Sequence, residues 1–253
     1  MRYFTGIDIG STASKVVILD AERVAHHFVL PTGWSSKETA GEISRRLQEA
    51  GYPVGEDMRV IATGYGRISV EYAAKSVTEI TCHGRGGYAL MGRDCTIVDI
   101  GGQDTKVITV ENALPSSFLM NDKCSAGTGK FLEIMANRLG VGMPELFELA
   151  SRGEPLAISS MCTVFAESEV ISHIGAGEKR EDIAAGVVES VVNKVAGLCS
   201  RHQLRGDVML TGGLCECSYL VDRLSKKLGV PVHADPMGRY AGALGAALIA
   251  RGK

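Results

Sequence analysis

The same ten-residue pattern occurs twice: residues 8–17 read DIGSTASKVV and residues 99–108 read DIGGQDTKVI. An apolar, strand-like run ends at each copy, and two further β-rich runs follow its turn. Strand, glycine-containing turn, strand, turn and strand in this order predict a β-meander. The copies lie about 91 residues apart, which is too long for a stacked repeat and suits a duplicated domain.

Strands and helices alternate after each meander, which predicts an α/β protein made of two duplicated βββαβαβα-type domains. We predict that the first domain spans 1–93 and is closed by a C-terminal helix at 241–253, and that the second spans 94–240. The predicted strands are Tyr3–Ile9, Lys15–Leu19, Val24–Leu30, Arg59–Thr63, Cys95–Ile100, Lys106–Val110, Ser116–Met120, Asp207–Leu210 and Val230–Ala234. The predicted helices are Lys37–Ala50, Ser69–Lys75, Lys130–Leu139, Thr163–Ile174, Arg180–His202, Ser218–Leu228 and Ala241–Arg251.

Charge and hydropathy narrow the possible partners. The 253 residues include 27 basic and 29 acidic side chains, for a net charge of −2. This balance argues against nucleic acid or an anionic membrane as the partner. Neither a run of about 20 apolar residues nor a signal-peptide pattern is present, so we expect a cytoplasmic protein that does not span a membrane.

The turn of each repeat has the composition of a phosphate-binding loop. Gly, Ser and Thr offer hydroxyls and accessible backbone N–H groups, and Lys15 adds a positive charge. Asp8 and Asp99 end their strands where a Mg²⁺ ion, held mostly through water, would meet the phosphates. A single turn of this kind is as readily a structural hairpin. Two copies, together with Thr211-Gly212-Gly213 and Gly242-Ala243-Leu244-Gly245, favour nucleotide binding.

Two of the seven cysteines stand at the start of helix-like stretches. Cys124 and Cys162 lie in NDKCSAGTGKF (121–131) and SSMCTVFAESEV (159–170). A helix N-terminus favours a thiolate through its unpaired N–H groups and its dipole. Two thiolates are too few for a four-iron cluster, whereas a two-fold dimer would supply four. Spacing alone leaves the alternative open that these cysteines are small buried apolar residues.

These segments together resemble known ATPases. The two turns and the late Thr-Gly-Gly are similar to the nucleotide-binding motifs of the actin/hexokinase-like (ASKHA) superfamily, in which ATP lies in a cleft between two similar domains. From GIDIGSTASK through TGYGR, MNDKCSAGTGKF and SSMCTVFAESEV to GALGAAL, the whole chain resembles the ATP-dependent activators (component A) of 2-hydroxyacyl-CoA dehydratases. That family includes ATPase subunits of benzoyl-CoA reductases and the reductases of double-cubane-cluster proteins.

The resemblance implies a function and a set of site residues. It implies a homodimer that shares one 4Fe-4S cluster, with Cys124 and Cys162 as ligands. ATP hydrolysis would drive one-electron transfer from ferredoxin or flavodoxin to a dehydratase or double-cubane-cluster protein, and the sequence does not decide which. Catalytic roles are expected for Asp8, Asp99 and Gln103. Contacts to ATP or ADP are expected for Ser11, Thr12, Ala13, Ser14, Lys15, Gly101, Gly102, Gln103, Gly127, Thr128, Gly129, Gly212, Gly213, Glu216 and Arg239, although LCECSY (214–219) departs from the family pattern near Glu216.

Other interpretations remain at this stage. A sugar-type kinase of the same superfamily is one alternative, and a non-enzymatic actin-like assembly protein is another. Glu167 and Glu169 are either dimer or docking contacts or a solvated helix face. We expect the remaining cysteines to be packed thiols at Cys82, Cys95 and Cys199, and leave a role for Cys215 and Cys217 open.

Overall fold

Two five-stranded sheets, each built on one copy of the repeat, organise the chain. The computed structural model describes residues 3–159 and 162–252. The strands are β1 (Tyr3–Ile9), β2 (Ala13–Leu19), β3 (Val24–Pro31), β4 (Met58–Thr63), β5 (Lys75–Ser76), β6 (Cys95–Ile100), β7 (Thr105–Glu111), β8 (Leu114–Asn121), β9 (Asp207–Gly212) and β10 (Val232–Ala234). The sheets run β3-β2-β1-β4-β5 and β8-β7-β6-β9-β10, so equivalent strands take equivalent positions. The duplicated α/β architecture is thereby confirmed.

Eight α-helices accompany the sheets in the described part of the chain. They are α1 (Ser36–Glu49), α2 (Glu79–Met91), α3 (Gly129–Arg138), α4 (Met143–Arg152), α5 (Thr163–Gly175), α6 (Arg180–His202), α7 (Ser218–Leu228) and α8 (Ala241–Arg251). By contacts, the chain divides into one unit of residues 1–97, 108–117 and 237–253 and a second of 98–107 and 118–236. The predicted limits, 1–93 with 241–253 and 94–240, stay a prediction. Their ends at residues 1, 2 and 253, and residues 160–161 of the second cysteine segment, lie outside the described residues.

Helices α2 and α8 cross at unusually short range in the first unit. A Cβ at Gly86 of α2 would lie 1.9 Å from the backbone oxygen of Ala241, and one at Gly245 of α8 would lie 1.8 Å from that of Cys82. Only glycine permits such an approach. The sequence of α2 does not predict a helix, because its glycines lower helix propensity, whereas here close packing outweighs that loss.

The predicted helix at Ser69–Lys75 is wrong. The chain instead makes a 3₁₀ turn at Arg67–Ser69 and then pairs with β4, with backbone N–H groups of Ala74 and Val77 donating to Val60 and Ala62 at 2.8 and 2.9 Å. Val70 of this segment packs into the core of the first sheet. Pairing with a neighbouring strand has overridden local pattern.

Helix α6 forms the centre of the second unit's core. Its apolar residues pack with those of α3, α4, α5 and α7 and with the second sheet. It is long and apolar enough to pass a test for membrane spans, but 67% of the tested window is buried inside the protein, as expected of a core helix. Helix α4, which has Pro144 in its first turn, was not predicted either. Proline suits the first turn of a helix, where its missing N–H has no partner to lose.

Candidate nucleotide and metal sites

The first repeat turn places an ammonium group beside a buried carboxylate. Strand register pairs Asp8 with Lys15, and the Lys15 Nζ lies 3.8 Å from Asp8 Oδ2. The other carboxylate oxygen, Oδ1, is buried and has no hydrogen-bond partner among the described residues. Gly242, at the start of α8, leaves room here, since a Cβ would approach Oδ2 to 2.9 Å. The carboxylate thus keeps an unused acceptor next to the turn.

Accessible hydroxyls follow in the same turn. Ser11 and Thr12 lie between β1 and β2, and Ser11 is partly exposed and Thr12 exposed. Ser14 is buried, and its hydroxyl is 2.7 Å from that of Thr32, so one of its hydrogen bonds is already made within the protein. Ala13 begins β2. The turn therefore offers two accessible hydroxyls, its backbone and the Lys15 ammonium to a bound anion.

The second repeat turn is built around a buried ion triad. Lys106 is 1% exposed, and its Nζ donates to Asp104 Oδ1 at 2.6 Å and to Asp99 Oδ2 at 3.3 Å. Thr211 of β9 donates its hydroxyl to Asp99 Oδ1 at 2.8 Å. Each Asp99 oxygen thus already accepts a hydrogen bond. Gln103, at the tip of the turn, is exposed.

Backbone hydrogen bonds attach the second turn to the start of α3. The N–H groups of Gly129 and Lys130 donate to the carbonyls of Gly101 and Gly102, both at 2.9 Å. Thr105 donates its hydroxyl to the Gly127 carbonyl at 2.7 Å. The N–H groups in the first turn of a helix usually lack partners, whereas in α3 they fix the helix to the second repeat turn.

The remaining predicted nucleotide residues lie at the ends of elements. Thr128 is the N-cap residue of α3, and its hydroxyl donates to Ser125. Gly212 ends β9 with a φ of +93°, and Gly213 and Glu216 follow in the turn before α7. Arg239 lies in the 3₁₀ turn before α8. Their predicted contacts to the nucleotide stay predictions.

The two cysteine segments meet in the second unit. Cys162 is the N-cap residue of α5, and Cys124 lies in the loop between β8 and α3. The hydroxyls of the residues that directly follow them, Ser125 and Thr163, are 2.7 Å apart. Because neighbouring Cα atoms are about 3.8 Å apart, this bond holds the two cysteines in the same region.

Polar contacts fix both cysteine segments. Asn121 donates its amide to the carbonyls of Cys124 and Ala126 at 2.9 and 3.2 Å. Glu167 pairs with Arg138 of α3, and Glu169 accepts from the backbone of Ser159. Glu167 and Glu169 thus each make a contact that holds α5 in place, and their role as dimer or docking contacts stays a prediction. The sequence pattern showed no sign of these intrachain partners.

Four of the other five cysteines are buried, and the fifth, Cys217, is half-buried. Cys82, Cys95 and Cys199 are buried, as expected, and burial raises the pKa of Cys82 and of Cys199 to about 12. Burial also raises the pKa of Cys217. The Cys215 thiol is buried and donates to the Asp235 carbonyl at 3.5 Å. Metal ligation needs a thiolate, which a raised pKa disfavours.

Comparison with known proteins identifies the family. The family model of the BadF/BadG/BcrA/BcrD ATPases matches residues 5–250. The chain belongs to this ATPase family. The (R)-2-hydroxyglutaryl-CoA dehydratase activating ATPase of Acidaminococcus fermentans is 45% identical over 252 residues, which cover 98% of this chain and 96% of that protein. A benzoyl-CoA reductase subunit of Thauera aromatica is 30% identical, with 98% and 93% covered.

Solved structures agree with this assignment. The crystal structure of A. fermentans (R)-2-hydroxyglutaryl-CoA dehydratase component A has a TM-score of 0.92 at 44% identity, covering 98% of this chain and 97% of that one. The activator of the 2-hydroxyisocaproyl-CoA dehydratase from Clostridium difficile, with bound ADPNP, has a TM-score of 0.91 at 39% identity, covering 98% and 94%.

The fold prediction is confirmed as well. A ROK family glucokinase from Streptomyces griseus has a TM-score of 0.59 at 17% identity, covering 99% of this chain and all of that one, which shows the shared actin/hexokinase-like fold alone. ATP is the nucleotide that this family uses, so the protein is an ATP-binding ATPase. The alternative that the protein is a sugar-type kinase is supported only by this similarity of fold.

Proposed function

We propose that this ATPase is a one-electron donor that activates a 2-hydroxyacyl-CoA dehydratase or a related acceptor. In the proposal it works as a homodimer that shares one 4Fe-4S cluster, held by Cys124 and Cys162 of each copy. The observation that carries the proposal is the hydrogen bond between Ser125 and Thr163, which joins the two cysteine segments. The names of its relatives, as activators of dehydratases and as part of a reductase, support it.

The thiol groups fit a shared cluster. Cys124 and Cys162 are half-buried, as Cys217 is, whereas Cys82, Cys95, Cys199 and Cys215 are buried in the protein. Two chains related by a two-fold axis would supply four thiolates. When bound, such a cluster supplies a one-electron carrier whose potential depends on its hydrogen bonds and exposure.

Helix α5 supports dimer formation next to Cys162. Its first turn exposes Val164 and Phe165 at 65% and 66%, and Ile171 and Ile174 are exposed farther along. Adjacent apolar side chains in water are typical of an interaction surface. A contact between two copies of α5 would cover this surface and bring the cysteines of both copies together.

The first turn provides the groups that we propose to bind the ATP phosphates. The Lys15 ammonium, the hydroxyls of Ser11 and Thr12 and the backbone from Ser11 to Lys15 would contact phosphate oxygens. The unpaired Asp8 Oδ1 would accept a hydrogen bond from a water molecule on Mg²⁺, whose charge would offset that of the phosphates.

The second turn would serve hydrolysis. Gln103 is exposed at its tip, and its amide can both donate to and accept from an attacking water molecule. Gly101 and Gly102 would let the backbone approach the nucleotide. Asp99 would act on metal-bound water while it orients Lys106 and Thr211. We also propose that Gly127–Gly129, Gly212, Gly213, Glu216 and Arg239 contact the nucleotide.

ATP turnover would control when the electron leaves. Ferredoxin or flavodoxin is the proposed donor, and the proposed acceptor is a dehydratase or a double-cubane-cluster protein of the cytoplasm. Because a ligand shifts a conformational equilibrium only if it binds the two conformations unequally, ATP and ADP must favour different arrangements of the protein.

Iron analysis after anaerobic purification tests the cluster assignment. We expect about four iron and four sulfide ions per dimer, the content of one cubane cluster. Cys124→Ala and Cys162→Ala should each lose most of the iron. Cys217→Ala, which removes a half-buried thiol elsewhere in the same unit, is the matched control and should keep it.

A second measurement tests electron delivery. The reduced protein should activate a 2-hydroxyacyl-CoA dehydratase only when Mg-ATP is present, and the two cysteine variants should fail although they still bind ATP. Unchanged iron content in both variants would refute the cluster assignment. If the protein has its full iron content but activates no dehydratase with ATP, the cluster assignment stands and the dehydratase is rejected as the electron acceptor.

A further inference from the structure

The two repeat turns treat their equivalent lysines differently. Lys15 and Lys106 occupy the same position of the repeat, as do Ala13 and Asp104. All other charged positions of the two ten-residue copies agree, with Asp8 opposite Asp99. The charge that separates the two turns is therefore the carboxylate of Asp104, for which the first turn has a methyl group.

In the second turn, this carboxylate holds the lysine. Asp104 Oδ1 lies 2.6 Å from Lys106 Nζ, the shorter of the two carboxylate contacts that this ammonium makes. The same oxygen lies over Gly101, 2.5 Å from where a Cβ would stand. The turn therefore presents a carboxylate above its glycine, and Lys106 is enclosed at 1% exposure.

In the first turn, the lysine takes the place of the carboxylate. The Lys15 Nζ lies over Gly10, 3.4 Å from where a Cβ would stand, and its side chain is 18% exposed. Its ion pair with Asp8 is long at 3.8 Å. An ammonium group thus lies next to Gly10 in the first turn, whereas a carboxylate lies next to Gly101 in the second.

We propose that Ala13 is a positioning residue of the ATP site. Without a carboxylate at residue 13, Lys15 remains available to the phosphates, while Asp104 commits Lys106 to the fold of the second turn. Ala13 itself makes no side-chain contact with the phosphates in this account. The inference rests on the proposed role of Lys15 and explains why only one of the two lysines can fill it.

Substitution at residue 13 tests the proposal through nucleotide affinity, which does not require the cluster. Ala13→Asp should raise the Kd for Mg-ATP at least tenfold, as Lys15→Met should, because the new carboxylate would hold Lys15 as Asp104 holds Lys106. Ala13→Asn is the matched control, with the same size and no charge, and should raise the Kd at least fivefold less than Ala13→Asp does. Calorimetric titration of the folded variants gives each value.

A double-mutant cycle separates positioning from simple repulsion of ATP. In a Lys15→Met background, Ala13→Asp should add less than threefold to the Kd, since the lysine on which it acts is gone. An added tenfold loss in that background would overturn the proposal, because the carboxylate would then repel the phosphates directly. Equal losses in Ala13→Asp and Ala13→Asn would also overturn it, by attributing the effect to size.

These outcomes are distinct from a failure of the proposed function. Wild-type protein that binds Mg-ATP but carries no iron would refute electron donation and leave this test intact. A Lys15→Met variant with wild-type affinity would refute the inference whatever the iron content.

Discussion

Lys106 and Lys15 show how burial changes what a charged residue does. Lys106 neutralises two buried carboxylates, Asp99 and Asp104, at 3.3 and 2.6 Å. Without it, two negative charges would face each other in a region from which water is excluded. Lys15 has one distant carboxylate and is partly open to solvent. The first lysine therefore stabilises the fold, and the second is available for a ligand.

This difference predicts that the same substitution destabilises the protein more at Lys106 than at Lys15. Lys106→Met should lower the free energy of unfolding by roughly 3–5 kcal/mol, because it leaves buried charges uncompensated. Lys15→Met should lower it by less than Lys106→Met does, since Lys15 pairs with one carboxylate at the longer distance of 3.8 Å and is itself partly solvated. Urea denaturation of the nucleotide-free protein measures both. A Lys15→Met variant less stable than Lys106→Met would contradict this assignment.

At the scale of elements, the crossing of α2 and α8 depends on glycines, although glycine has a low helix propensity. Gly86 and Gly245 lie where a side chain would overlap the opposing backbone. Gly197, on the surface of α6, has open space around it instead, since a Cβ there would meet nothing within 4 Å. Replacing these glycines therefore has effects of opposite sign.

Gly245→Ala should destabilise the protein by roughly 1–3 kcal/mol, because the added methyl group forces the two helices apart. Gly197→Ala, the matched control in an open helical position, should stabilise it by about 0.5–1 kcal/mol through better helix propensity. Thermal unfolding of both variants gives the comparison. A stabilised Gly245→Ala variant would show that the helices can separate freely.

The sequence predicted the elements whose pattern is local. Both meanders follow from the repeat, and α5 and α6 follow from their apolar spacing. The errors occur where a distant partner decides: α2 forms because α8 packs on its glycines, and Ser69–Lys75 turns toward β4. Likewise, the partners of Glu167 and Glu169 belong to other elements. The repeat also pairs Lys15 with Lys106 and gives no sign that Lys106 is buried between two carboxylates.

At the scale of the whole molecule, the proposed dimer requires that α5 meet a second copy of itself. Phe165 is 66% exposed in the turn after Cys162. A homodimer would bury this ring, and a two-fold axis beside it would place like residues opposite one another. A charge introduced here would therefore face an identical charge from the partner.

Phe165→Glu should convert the proposed dimer to a monomer and lower its iron content accordingly. Ile68→Glu, in an exposed position of the other unit, is the matched control and should remain dimeric with its iron. Sedimentation velocity under anoxic conditions measures the mass of each variant. A dimeric Phe165→Glu variant with a full complement of iron would exclude α5 from the contact.

The hydrogen bonds from Gly129 and Lys130 to the second turn have a mechanical consequence. They connect the loop that carries Gln103 directly to α3, the helix that follows Cys124. If the loop moves, the start of α3 must move with it, or both hydrogen bonds must lengthen. An insertion in this stretch would therefore displace Gln103 and Cys124 together, so the hydrolytic role proposed for one and the cluster ligation proposed for the other are under a common constraint.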